Sequence, residues 1–317
     1  MKRDYQYLFG PVPSRRLGRS LGVDLTPFKT CTLNCVFCQL GCTTNMTTHR
    51  ADYVPVAEVE SELDAWTKQG GMADHITLAG SGEPSLHTRF GEVLQFARSH
   101  TAIPVALLSN GTLFWQPEVR AAARHAHIVK LSISAWNELS FGRVSRPHPD
   151  LQFKKVIDGQ RAFRNEFSGK LWVEVFLIGP TNSLLHDAER IAPLVASIAP
   201  DEVHLNTAVR PPAEDFVVPV SQEELEALTA VFRPVAKVIA DFTAAQSADT
   251  QASAETIWAM VRRRPCTAQQ IAELFGMHPN HVAKYVGALL RAGKIRARTA
   301  GPGTFYVATE LGEHVNG

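Results

Sequence analysis

Three of the five cysteines of this 317-residue chain fall within eight residues, in Cys31-Thr-Leu-Asn-Cys35-Val-Phe-Cys38. Thiolates are soft ligands for zinc or iron-sulfur clusters, and three of them leave a four-coordinate site one ligand short. A structural zinc site closes with a fourth Cys or His, and Cys42 lies just downstream. The spacing therefore allows two chemistries. One is a closed four-cysteine site, and the other is an open cluster with a position left for chemistry.

Other residues able to bind or react sit in short polar turns that follow apolar runs. Gly80-Ser-Gly-Glu-Pro84, Ser109-Asn-Gly111, Ser132 with Ser134, Gly179-Pro-Thr-Asn182 and Asn206 with Arg210-Pro-Pro212 are such turns. Each is an ordinary turn sequence when taken alone. Glu174 is different, because a carboxylate inside Leu-Trp-Val-Glu-Val-Phe-Leu-Ile is either buried with a partner or faces a polar cavity. Arg15, Arg16 and Arg19 lie in a Gly- and Pro-rich opening that reads as a loop leading into a strand at Leu21–Leu25. Their guanidinium forks suit an anion; the plain alternative is three solvated side chains.

The elements that must position these groups alternate. Helices are expected at Val56–Gly70, Phe90–Ser99, Pro117–Ala126, Phe153–Asn165 and Asp187–Ile198. Strands are expected at Leu21–Leu25, His75–Ala79, Pro104–Leu108, Ile128–Ile133, Leu171–Ile178 and Glu202–Asn206. Such alternation implies parallel strands with right-handed crossovers, in an open sheet or a partial barrel whose working site gathers at the carboxyl ends of the strands. A further helix is expected over Ser221–Ile239, and the stretch 244–253 reads as a linker.

With this spacing and these strand ends in place, the chain resembles the radical S-adenosylmethionine (SAM) enzymes. The resemblance rests on Cys31, Cys35 and Cys38 as C-x3-C-x2-C, on Phe37 before the last cysteine, and on Gly82-Glu83-Pro84 after the second strand. It implies a partial (β/α)6 parallel barrel whose three thiolates hold a [4Fe-4S] cluster, with SAM on the fourth iron. Reduction by a one-electron donor such as flavodoxin or ferredoxin would then yield a 5'-deoxyadenosyl radical. By resemblance, Phe37, Gly82, Glu83, Pro84, Ser109, Asn110, Ser132 and Glu174 surround SAM. Arg15, Arg16, Arg146, Asn206 and Arg210 are candidates for an anionic substrate. Cys42, which would fill SAM's place, becomes a nearby thiol.

Gly10-Pro-Val-Pro-Ser-Arg-Arg-Leu-Gly18, Arg146-Pro-His148 and Asn206–Pro212 look more narrowly like a subgroup related to tRNA 4-demethylwyosine synthase. That synthase uses further cysteines upstream of its main motif. None precedes Cys31 here, and wyosine chemistry is not inferred.

Three helices and a hairpin after residue 254 resemble a winged helix-turn-helix, giving a barrel over 1–243 and a small domain over 254–317. Its third helix would offer His278, Asn280, His281, Lys284 and Tyr285 to a nucleic acid; a docking module for a peptide or a second subunit, or a lid over the active site, are the other readings. From Ala254 onward there are eight Lys or Arg against four Asp or Glu, so the net +1 of the chain divides into +4 for the tail and -3 for the rest. That is sparse for a groove binder. A regulatory iron-sulfur sensor binding DNA through this domain, with Cys42 completing the cluster, is the rival from another class. No apolar run reaches the roughly 20 residues that span a bilayer, and the composition argues for a cytoplasmic protein without disulfides.

Overall fold

The structure, a computed structural model, describes residues 5–240, 253–277, 279–300 and 303–309. Its main sheet runs in sequence order through eight strands. These are β1 (Leu8–Ser14), β2 (Gly18–Val23), β3 (His75–Leu78), β4 (Val105–Leu108), β5 (Ile128–Ser132), β6 (Lys170–Phe176), β7 (Glu202–Asn206) and β8 (Lys237–Val238). All neighbours pair in parallel except β1, which is antiparallel to β2. The crossovers carry α1 (Val56–Lys68), α2 (Phe90–His100), α3 (Pro117–Ala123), α4 (Glu138–Val144), α5 (Phe153–Glu166), α6 (Leu185–Ile198) and α7 (Gln222–Leu228). The result is an α/β fold with a mostly parallel sheet, as expected.

Because successive side chains on a strand point to opposite faces, each strand sorts its residues between two environments. Leu171, Val173 and Val175 of β6, Val203 and Leu205 of β7, and Val129 and Leu131 of β5 join the main apolar core with residues of the helices. The intervening residues face the other way. There Leu17, Ala106, Ile128 and Trp172 form a small apolar plug, while Thr77, Lys130, Glu174, His204 and Asn206 are buried polar groups. The sheet curls around this inner face. Arg15, in the turn between β1 and β2, donates to the Asn206 side-chain oxygen at 3.0 Å and to the Ile239 carbonyl at 2.9 Å, which ties the first hairpin to the last strands.

Three expectations change. The opening segment is a strand, β1, where a loop was expected. Its Gly10-Pro11 step coincides with a break in register between Phe9 and Val12, and Pro is tolerated there because β1 is an edge strand. The helix expected over Ser221–Ile239 stops at Leu228 and passes through a 3-10 turn at Thr229–Val231 into β8. Pro234 removes a backbone donor and disfavours helical geometry at Arg233. Helix α4 was not anticipated; Asn137 caps it by accepting from the Ser140 backbone at 2.9 Å.

The C-terminal unit contains α8 (Ala254–Arg263), β9 (Cys266–Thr267), α9 (Ala268–Leu274), α10 (Pro279–Arg291), β10 (Ile295–Ala300) and β11 (Gly303–Ala308). The three strands form an antiparallel sheet in the order β9-β11-β10. Ser253 and Thr267 cap α8 and α9 by accepting from the Thr256 and Gln270 backbones. Ile257, Met260, Ile271, Val282 and Leu289 pack around the buried Cys266, and Val12 of β1 belongs to the same cluster. His278, Gly301 and most of the expected linker lie outside the described residues. No described helix is long and apolar enough to cross a membrane.

Candidate active site

The cysteine loop leaves the end of β2 and is pinned by its own backbone, with Cys38 donating to the Cys35 carbonyl at 3.0 Å and Gly41 to the Cys38 carbonyl at 3.1 Å. Burial pushes the Cys31 thiol up to about 12, and Glu83 adds to the shift. Burial likewise raises Cys35, with Cys31 and Cys38 contributing, and raises Cys38. The three sulfurs are thus close enough to repel as thiolates. Each also accepts hydrogen bonds, Cys31 from the Leu33 and Thr32 backbones, Cys35 from Ser145 and Cys38 from the Leu40 backbone. Cys42, by contrast, is exposed.

Gly82 and Glu83 form the shelf beneath this loop. A Cβ on Gly82 would stand 1.9 Å from the Thr30 carbonyl oxygen, so glycine is required for the turn to lie against the backbone that carries Cys31. Glu83 is 2% exposed and fully engaged. One carboxylate oxygen accepts from the Ser85 backbone, the Ser85 hydroxyl and the Ser109 hydroxyl, and the other accepts from the Asn110 backbone at 2.7 Å. The Asn110 amide in turn reaches the Cys31 sulfur at 3.6 Å and Thr32 at 2.8 Å. Glu83 and Ser109 therefore face each other, and Asn110 faces the cluster loop. Pro84 is buried and starts the short 3-10 turn that follows.

Glu174 is both buried with partners and at a cavity. Burial by itself would raise its carboxyl, but Arg16, Lys130 and Asn206 hold it well below the usual carboxylate range. Arg16 pairs with one of its oxygens, which also accepts from Asn206 at 2.9 Å, and Lys130 approaches the other at 3.2 Å. Lys130 also donates to Ser132 at 3.1 Å, which brings Ser132 into the same network. Breaking a buried ionic network of this kind costs about 3–5 kcal/mol.

The network borders a cavity of about 380 Å³. Phe37 and Cys38 line it on the cysteine side, where Phe37 stacks on Phe176 with centroids 4.0 Å apart. Arg15, Arg16, Glu174, Asn206 and Arg210 line it as well. Burial lowers Arg15 to about 10, with Arg16 adding to the shift. Burial, then Arg264 and Arg15, lower Arg210 further. Arg146 is not brought to this cavity. It pairs with Glu214, its side chain is 39% exposed, and it lies in a left-handed turn with φ 44°.

Several residues escaped the sequence reading. Lys130, in Ile-Val-Lys-Leu-Ser, carries the same signal as Glu174, a charge on an otherwise apolar strand. Asp24 directly follows β2 and accepts from the Ser81 hydroxyl at 2.6 Å and from Arg263 at 2.9 Å. Arg263 and Arg264 also line the cavity, and nothing in the local sequence marks them.

The donor set suits an iron-sulfur cluster. Thiols that burial makes poor acids become good ligands beside a metal cation, and backbone hydrogen bonds to their sulfurs are of the kind that tune a cluster. Among the described residues no three His, Cys, Asp or Glu side chains gather as they would around a single ion. The class this defines is an α/β fold with a mostly parallel sheet and a three-cysteine loop at one strand end.

The family model described as the radical SAM superfamily matches residues 25–195. A UPF0026 protein of Helicobacter pylori strain J99 is 30% identical over 97% of this chain and 99% of its own. The UPF0026 protein MJ1312 of Methanocaldococcus jannaschii is 29% identical over 84% and 85%. A protein described as GTPase Obg, from Brachyspira hyodysenteriae, is 33% identical over 91% of this chain but only 43% of its own length, so the chain spans less than half of that relative. The crystal structure of a radical SAM methyltransferase from Sphaerobacter thermophilus shares the fold, with a TM-score of 0.50 and 21% identity over 69% of this chain and 65% of that one. The chain belongs to the radical SAM superfamily and, within it, to the UPF0026 family. That superfamily uses a [4Fe-4S] cluster and SAM.

Proposed function

We propose that this protein is a radical SAM enzyme acting on an anionic substrate. Cys31, Cys35 and Cys38 hold the cluster, and Cys42 stays outside it. When bound there, the cluster and SAM would supply radical chemistry, the abstraction of a hydrogen atom from the substrate after one-electron reductive cleavage of SAM. Phe37, with Phe176 behind it, offers an aromatic face for adenine. The shelf at Gly82–Pro84 offers backbone to the methionine moiety. Glu83 and Ser109 position that shelf, Asn110 orients the Cys31 sulfur, and Glu174 with Ser132 presents polar groups to a ribose. The arginines receive the substrate's negative charge.

The single observation that carries this reading is the cavity shared by Cys38, Glu174, Asn206 and the arginines. A redox cluster that only signalled would need no arginine-lined chamber beside it. An external one-electron reductant such as flavodoxin or ferredoxin completes the reaction. The order of helices and strands after Ser253 supports a winged helix-turn-helix, and the Gly-Pro-Val-Pro-Ser-Arg-Arg motif supports kinship with the wyosine-related subgroup.

The test is to reconstitute the protein anaerobically with iron and sulfide, reduce it in the presence of SAM, and follow 5'-deoxyadenosine. Formation of 5'-deoxyadenosine and methionine is expected. Zinc in the anaerobically purified protein, with no SAM turnover on reduction, would sink the reading.

A further inference from the structure

Arg263, the last residue of α8, reaches from the C-terminal unit into the barrel. Its Nε donates to the Asp24 carboxylate at 2.9 Å, both side chains being at most 7% exposed. Its other nitrogens donate to the Ala259 carbonyl at 3.1 Å and to the Gln6 carbonyl at 3.3 Å, and the guanidinium lies 4.7 Å from the Phe9 ring centroid. The fork is thus spent on three acceptors and one ring face, a geometry that lysine cannot reproduce. A buried ion pair repays its desolvation only with good geometry and further hydrogen bonds, and both are present here. A second attachment of the unit, Arg298 to the Pro212 carbonyl at 2.8 Å and to Asp215 at 2.6 Å, holds β10 to a different part of the barrel, the segment after β7.

Asp24 carries that contact to the glycine-rich loop. The oxygen that accepts from Arg263 also accepts from the Ser81 hydroxyl at 2.6 Å, and the other oxygen accepts from the Ser81 backbone at 3.1 Å. A Cβ on Gly80 would stand 2.3 Å from the Asp24 carboxyl carbon, so the loop lies directly on the carboxylate, a closeness that glycine permits. Ser81 is itself buried, and its carbonyl accepts from the Lys29 backbone at 2.7 Å. That bond ties the same loop to the segment leading into Cys31. Gly82 and Glu83 follow at once, so the contacts run from α8 through Arg263, Asp24 and Ser81 to the shelf beneath the cysteines.

We propose that Arg263 is a positioning residue for SAM: by fixing the Asp24 carboxylate it holds Ser81, and with it the backbone shelf at Gly82–Pro84, in the conformation that takes the methionine moiety. This rests on the reading of that shelf as part of the SAM site. The C-terminal unit is then part of what builds the cofactor site of the barrel.

Two measurements on the full-length, cluster-loaded protein test this, and neither needs a reductant. Hydrogen exchange of the backbone amides of residues 80–83 reads the loop itself, and calorimetry reads SAM affinity. Arg263→Gln should speed exchange there and weaken SAM about tenfold, as for loss of a hydrogen bond to a charged group. Arg263→Lys, which keeps the charge and loses the fork, should fall between. Ser81→Ala leaves the ion pair in place and should weaken SAM by a similar factor. Combined with either Arg263 variant it should be no weaker than the worse of the two singles, because residues acting through one link are not additive. Arg298→Gln, which loosens the unit at its other attachment, should keep both readouts at wild-type values. Wild-type affinity and exchange in Ser81→Ala and Arg263→Lys would overturn the proposal, and these two variants decide it even where Arg263→Gln does not fold. So would effects of Arg263 and Ser81 that simply add, as for an arginine touching SAM directly, or an Arg298→Gln that weakens SAM as much as Arg263→Gln does. A wild type that binds no SAM would end the enzyme reading and this inference together, whereas SAM binding with a loop indifferent to Arg263 would end this inference alone.

Discussion

The two sides of the cavity are held by different physics. Beneath the cysteines, Glu83, Ser85, Ser109 and Asn110 form a compact web in which one buried carboxylate is answered by hydroxyl and amide donors. Across the cavity, Glu174 is answered by Arg16 and Lys130, and further guanidinium groups gather around it. The first arrangement fixes a backbone shape. The second sets a field. A site for an invariant cofactor needs the former, whereas selecting a charged substrate needs the latter.

The contrast can be broken most severely at the sulfurs. Replacing Cys35 by Ala should abolish cluster binding, read as loss of the iron-sulfur absorbance, because two thiolates cannot substitute for three corners. On the charged side, Glu174→Gln strands Arg16 and Lys130 in a buried setting and should cost about 3–5 kcal/mol in denaturant unfolding. Asp24→Ala should cost a comparable amount by leaving Arg263 alone, and should also loosen the C-terminal unit, seen as faster proteolysis beyond Ser253.

The two sides should also part under acid. Glu174 has its folded-state carboxyl depressed by Arg16, Lys130 and Asn206 against the raising effect of burial. Its contribution is therefore complete above the unfolded value of about 4.3 and is lost as pH falls below it. Glu174→Gln should flatten the acid limb of a stability-against-pH profile. The smallest effect is expected at Arg146. Its pairing with Glu214 at the surface is worth about 0–1 kcal/mol, so Arg146→Ala should leave KM nearly unchanged while Arg210→Ala raises it.

How much of this was legible in the sequence follows the same division. The cysteine loop and Gly82-Glu83 are local motifs whose spacing is itself the chemistry, and the strands behind them show a plain apolar period. Glu174 was legible because a carboxylate in an apolar strand must be explained, and Lys130 was open to the same reasoning. Arg146 was misplaced because a loop arginine carries no sign of which partner it will meet. Arg263 and Arg264 were invisible for the converse reason, since only the tertiary contact between Asp24 and the end of α8 brings residues 239 positions apart into one wall. The edge strand β1 and the early end of α7 were missed where Pro governs local geometry, at Pro11 and at Pro234.

The central claim is that three cysteines hold the cluster and leave its fourth iron for SAM. Electron paramagnetic resonance of the reduced cluster, with and without SAM, in wild type and in Cys42→Ala, tests it most directly. The same cluster signal in both proteins, shifted by SAM in both, is the predicted result. A signal that SAM leaves unchanged, or a cluster lost with Cys42, would contradict it.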